Sequence, residues 1–350
     1  MTAGVCAWYG GWRDMTRVAV APALVLACIV GLGLVAGGSL TETVTEMMVR
    51  MVVVVGLYIF VGNSGIISFG HISFMAIGAY AAAWLTCCTL PMVKPLYLPG
   101  LPEWLQNTAE PFWTGLAAAA ILSGVVAAAI GLAIMRLSGI AASIATFGIL
   151  AVEFNIYSNW DSMTAGTSSV SNIPISIDPF SASLFAAAAI LIAAVYQNSR
   201  FGVALRAVRD DAVASKAAGI RVVPSRLIAF VLSAIIVGVG GALQSGFLGT
   251  LTVDTFYFQL TFLTLGMLIV GGISSLTGAI AGVLLITGVT VGLRALETGF
   301  VLGTIKIRPP SGFQEVTLGV AMVLFMILRP AGATKSFDVF RFPIPHRKLK

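Results

Sequence analysis

An all-α fold that crosses a membrane many times is predicted by three features of this 350-residue chain. Hydrophobic residues make up 58% of it and charged residues only 10%, so folding in water would leave large apolar surfaces wet. The mean hydropathy is +0.99. Apolar runs at 18–38, 112–135 and 227–248 each have about the 20 residues that a helix needs to cross the hydrocarbon layer. A β-barrel would instead show segments of roughly ten residues with alternating polarity, and an open sheet would leave backbone groups unsatisfied in lipid.

Polar punctuation between the apolar runs places spans near 18–38, 43–61, 70–88, 112–135, 138–157, 182–197, 226–248, 257–273, 276–294 and 313–329. The expected total is about ten transmembrane helices. It falls to eight if the Gly/Ser-rich stretch within 43–88 is a broken or re-entrant helix. Arg13 and Arg17 precede a first run that is longer than the apolar region of a usual signal peptide, so an uncleaved first span is expected.

Orientation follows from the basic residues. The loop from Gln197 to Arg226 carries Arg200, Arg206, Arg209, Lys216, Arg221 and Arg226 against Asp210 and Asp211, which makes it cytoplasmic. Four spans separate it from a tail with Arg329, Lys335, Arg341, Arg347, Lys348 and Lys350, and six separate it from the N-terminus, so both termini are expected to be cytoplasmic. The chain divides accordingly into a cytoplasmic N-terminus 1–17, a membrane domain 18–329 with the cytoplasmic segment 197–226, and a basic tail 330–350. The loops on the other side differ in character: 89–112 is rich in proline and 158–181 in serine. A net charge of +6, concentrated in the segments assigned to the cytoplasm, argues membrane orientation and not nucleic acid. Cys6, Cys28, Cys87 and Cys88 have no CxxC spacing or His partners, so neither a metal site nor a disulfide framework is indicated.

Two places put polar chemistry at membrane depth. In "GNSGIISFGH", residues 62–71, the glycines allow a break whose backbone is tolerated only against protein or a water-filled cavity. Asn63, Ser64, Gly65, Ser68 and His71 are therefore candidate residues of a solute pathway. The competing reading is a turn between antiparallel spans, with Ser68 or His71 capping the next helix and His71 a hydrogen-bonded structural residue. Glu153 is the second candidate, because a carboxylate in a span is expensive to bury; its nearness to the outer end of its helix leaves a structural role equally open.

The segment "RFGVALRAVRDDAVASKAAGI" predicts an amphipathic helix over 202–217. Phe201, Leu205, Val208 and Ala212 share one face, Arg206 and Asp210 form an i,i+4 pair, and Gly219 supplies a left-handed stop. A solvated surface helix and a docking helix both fit this pattern. No GxxxxGK[ST] phosphate loop, HExxH or Ser/His/Asp arrangement occurs, so an enzyme is not expected.

"SRFGVALRAVRDDAVASKAAGI" followed by "LIAFVLSAIIVGVGGAL" resembles the permease subunits of branched-chain amino acid ABC importers, the LivM-type family. The likeness extends to "GNSGIISFGHISFMAIGAYAAA", "NWDSMTAG", "VGGISSLTGAIAG" and "ILRPAG", covering roughly residues 47 to 332. It implies a subunit of the bacterial cytoplasmic membrane that passes a small polar solute, branched-chain amino acids first, between compartments. The implied partners are a second homologous permease, two ATPase subunits, an extracytoplasmic substrate-binding protein and the lipid bilayer. The chain itself would bind no cofactor and no metal, ATP being used by its partners. The segment matching 200–220 is the part gripped by the ATPase, which implies coupling roles for Arg206, Arg209, Asp210, Asp211, Ala214 and Gly219. Ile66 stands where the family usually has Gln, and this keeps urea, short amides and aromatic acids open as substrates on the same scaffold. A secondary transporter or a passive channel is the alternative class.

Overall fold

The computed structural model describes residues 38–88, 93–106, 108–297, 300–302, 305–307, 312–329 and 332–334. The expected N-terminus 1–17, nearly all of the first span 18–38 and most of the tail 330–350 lie outside the described residues. The helices of six residues or more are α1 Ser39–Ser64, α2 His71–Thr86, α3 Phe112–Ile134, α4 Ile140–Ser158, α5 Pro179–Asn198, α6 Arg200–Asp210, α7 Ala212–Ala217, α8 Val222–Leu248, α9 Phe258–Gly271, α10 Leu276–Glu297 and α11 Phe313–Leu328.

The chain is a multi-pass membrane protein. Among the described residues seven helices are long and apolar enough to cross: α1, α3, α4, α5, α8, α10, and α9 together with the 3-10 turn before it. Helices α2 and α11 are apolar but have only 16 residues each. A short ribbon departs from the purely helical expectation: Phe300–Leu302 pairs antiparallel with Ile305–Ile307, where β-branched residues cluster after α10.

Helix α1 is the centre of the bundle. Of its most apolar window 83% is buried inside the chain, against 28% for α4, whose outer side is left uncovered. Helices α5, α8, α9 and α10 surround α1, and α8 also packs against α2 and α3. Small residues permit that closeness: a Cβ on Gly78 of α2 would strike the Gly238 carbonyl of α8, and one on Gly241 would strike the Met75 carbonyl. Hydroxyls tie the same helices together, Ser233 donating to the Gly56 carbonyl (2.6 Å) and Ser123 to the Phe74 carbonyl (3.1 Å).

Three sequence expectations need correcting. The single helix 202–217 is two helices, because Asp211 turns out of α6 and its Oδ1 accepts from the N–H groups of Val213 (2.8 Å) and Ala214 (3.0 Å), opening α7 as an N-cap. The i,i+4 pair of Arg206 and Asp210 is not what forms: Arg206 reaches Asn63, and Asp210 accepts from the Arg209 Nε at 3.3 Å. Finally, Cys87 and Cys88 at the end of α2 are joined by a disulfide, which no spacing signal announces.

Candidate functional site

The link between α1 and α2 lies at the same end of the bundle as α6 and α7. Helix α1 stops where the sequence reads Gly62–Asn63–Ser64–Gly65. Gly65 takes the left-handed conformation (φ 71°) and donates its N–H to the Val61 carbonyl at 3.0 Å, a glycine C-cap. The last carbonyls of a helix lack intrahelical donors and carry the negative end of its dipole. Two arginines of α6 meet this end of the helix, one at a carbonyl and one at a side-chain amide oxygen. Arg209 Nη1 donates to the Gly62 carbonyl at 2.8 Å, and Arg206 Nη1 donates to Asn63 Oδ1 at 3.0 Å. The stem of Arg209 lies over Gly65, where an added Cβ would come within 2.7 Å of its Cγ.

Local bonds complete the link. Asn63 Nδ2 donates to the Ile59 carbonyl (3.0 Å), and Ser64 Oγ accepts from the N–H of Ile66 (3.2 Å). Ser68 Oγ and His71 Nδ1 are 2.7 Å apart, so these two residues bond each other and neither caps α2, whose N-cap is Gly70. His71 is 1% exposed and ringed by Phe60, Phe74 and Phe230 at centroid distances of 5.5, 6.0 and 5.3 Å. The link also touches its neighbours. Phe69 N–H donates to Thr146 Oγ1 of α4 (3.3 Å), and a Cβ on Gly62 would lie 2.7 Å from the carbonyl of Ile273, in the second Gly/Ser-rich turn, between α9 and α10.

The structure thus brings Asn63 and Gly65 together with Arg206 and Arg209. Ser64, Ser68 and His71 are buried in the link itself. Glu153 stands apart, two turns beyond Thr146 along α4 and hence about 10 Å away by helical rise. Asp210, Asp211, Ala214 and Gly219 form an exposed rim on α6 and α7, with Val213 79% exposed among them; Gly219 is left-handed (φ 84°), as the stop requires. The two backbone N–H groups of Ala214 and Val213 hold the Asp211 carboxyl below its usual range.

Sequence reading missed a row of aromatic side chains joining the two regions. Phe69 meets Phe147 (6.0 Å), Phe147 stacks on Phe258 (5.5 Å), Phe258 meets Tyr257 (3.9 Å), and Tyr257 stacks on Phe154 (3.9 Å) beside Glu153. The only sequence signal was the spacing of Phe147 and Phe154 at two helical turns. Tyr58, whose hydroxyl donates to Gln197 Oε1 at 2.7 Å and ties α1 to α5, was likewise not singled out.

Residues 39–328 match the family described as branched-chain amino acid transport system / permease component. The chain belongs to that permease family. Among curated relatives it is 25% identical to the high-affinity branched-chain amino acid transport system permease protein LivM of Salmonella typhimurium (strain LT2) and 24% identical to LivM of Escherichia coli (strain K12). Each comparison covers 83% of this chain and 69% of the relative. No solved structure matches the chain. The family match runs through α1, the link, α6 and α11, so the arginine contacts lie wholly within the permease region.

Proposed function

We propose that the chain is the transmembrane permease subunit of a bacterial ABC importer, and that α6 with α7 is the element on which an ATPase subunit docks. The observation that supports this most is the double contact of Arg206 and Arg209 with the end of α1. An exposed helix pair tied by two guanidinium groups to the central helix is suited to carry a push from outside the membrane into the bundle. A passive channel would have no use for such a tie, and a secondary transporter would need an ion-coupling site within the spans instead.

In this reading Asp210, Asp211, Ala214 and Gly219 meet the ATPase, while Arg206 and Arg209 face inward. The link residues Asn63, Ser64, Gly65, Ser68 and His71 form the inner boundary of the pathway, and Glu153 lies further along it. A second homologous permease would cover the outer side of α4 and the aromatic row. Two ATPases would consume the ATP, with no cofactor held by this chain, and an extracytoplasmic binding protein would deliver the solute. Branched-chain amino acids are the proposed solute. Ile66 is 5% exposed and packed within the link, so its replacement of the family's usual Gln does not by itself favour urea, amides or aromatic acids. The subunit would sit in the cytoplasmic membrane with both termini cytoplasmic. Purification from the native membrane, followed by reconstitution with any ATPase subunits that accompany it, tests the proposal: ATP-dependent leucine uptake is expected, and uptake driven by an ion gradient with the chain alone would overturn it.

A further inference from the structure

Glu153 is a carboxylate without a donor. It is 7% exposed, and among the described residues neither of its oxygens has a hydrogen-bond partner. The hydroxyl of Tyr80, a residue with no exposure, is also without a partner among the described residues. The two belong to one cluster. Tyr157 lies one turn beyond Glu153 on the same buried face of α4, and its ring meets that of Tyr80 edge-on at 5.1 Å. The adjacent residue, Phe154, stacks on Tyr257 at 3.9 Å, and the 3-10 turn Val253–Phe256 packs against both α2 and α4. That turn adds the exposed carboxylate of Asp254.

A buried carboxylate is tolerated when hydrogen-bond donors, preferably charged ones, surround it. The cluster offers acceptors and aromatic faces but no cation. What it lacks is a compact group with several N–H donors and a positive charge, and a primary ammonium has both. We propose that Glu153 and Tyr80 form a buried acceptor site for the ammonium group of a small amino-bearing solute. The Glu153 carboxylate accepts two of its N–H bonds, the Tyr80 hydroxyl oxygen accepts the third, and the Phe154–Tyr257 pair walls the site. The site's place on a transport route rests on the permease reading; the lack of a paired cation does not.

Carbodiimide labelling tests this on the full chain in lipid nanodiscs. Dicyclohexylcarbodiimide converts accessible apolar-site carboxyls to stable N-acylureas, which mass spectrometry assigns to residues. Leucinamide, which carries an ammonium and no carboxylate, should suppress the Glu153 adduct at least fivefold with no leucinamide amide formed at Glu153 in its place, while 4-methylpentanamide, the same skeleton without the amine, should not. Palmitic acid added to the nanodiscs, a carboxyl held in the bilayer, is the internal standard for reagent loss. Tyr80→Phe should weaken the suppression by leucinamide severalfold without abolishing the adduct. Equal labelling with and without leucinamide would overturn the proposal. So would the absence of any Glu153 adduct while the palmitic acid reacts, which would make the carboxylate a closed structural group. A failure of ATP-driven uptake would remove the importer reading and leave these labelling results unchanged.

Discussion

Arg209 donates a hydrogen bond at 2.8 Å to the carbonyl of Gly62, 147 residues earlier in the chain. With Arg206 on Asn63, it fastens an amphipathic helix outside the apolar bundle to the end of the helix at the bundle's centre. Arginine suits the place because its planar fork can satisfy helix carbonyls while its stem covers Gly65. Removing it by Arg209→Ala leaves a partly buried carbonyl without its donor. The side chain is 29% exposed, so water compensates in part, and a loss of about 1 kcal/mol is expected in detergent-solubilised protein. Thermal unfolding measures it, and an unchanged midpoint would show that the bond adds nothing to the fold.

Gly65→Ala should destabilise by about 1–2 kcal/mol, because an L side chain is strained at φ 71° and its Cβ meets the Arg209 stem. Gly148→Ala is the control. That glycine sits in α4 with nothing within 4 Å of an added Cβ, so alanine should be neutral or stabilise by up to about 1 kcal/mol. Equal unfolding midpoints for the two variants would contradict the assigned backbone conformation.

The start of α7 should respond to pH through Asp211. Its carboxyl is held low by the two N–H groups it caps, so the cap contributes fully above the unfolded value of about 3.9 and is lost as pH falls through the lower, folded value. Hydrogen exchange at Val213 and Ala214, compared at each pH with Asp211→Asn, separates this from the intrinsic pH dependence of exchange. Protection should fall in acid for the native chain only. Parallel behaviour of the two proteins would rule out the charged cap.

Lys94, in the connection between α2 and α3, gives the opposite sign. Burial pushes its ammonium down to about 8, with Glu110 opposing, while its Nζ donates to the Thr108 carbonyl at 2.8 Å. The unfolded chain, with a lysine near 10.4, then binds more protons between about pH 8 and 10.4, so stability should rise with pH across that window. Lys94→Met should flatten the rise in a thermal-shift series, and a native profile already flat would mean that the lysine is solvated.

Much of the membrane architecture was legible because a helix in lipid needs a long apolar run. The run 112–135 is Phe112–Ile134 in the fold, and 226–248 ends on the same residue as Val222–Leu248. The break at Asp211 was present in the sequence as an aspartate before Ala–Val–Ala, but an apolar face continuing to Ala212 concealed it. Local spacing also suggested a partner for Arg206 one turn away, whereas its bond to Asn63 spans 143 residues and follows only from packing α6 beneath α1. The candidate residues at 62–71 were visible as unusual chemistry, and so was Glu153. That Arg206 and Arg209 touch the first group, and that Tyr80 stands near the second, depends on tertiary placement that no periodicity encodes.

The central claim is that Arg206 and Arg209 transmit, and do not merely anchor. It is tested most directly by the ratio of leucine imported to ATP hydrolysed in proteoliposomes holding the complete transporter, native or with Arg206→Ala and Arg209→Ala together. The predicted result is continued ATP hydrolysis with a ratio lowered at least tenfold, while the exposed rim of α6 and α7 still holds the ATPases. A doubly substituted transporter that imports as much leucine per ATP as the native one would contradict it.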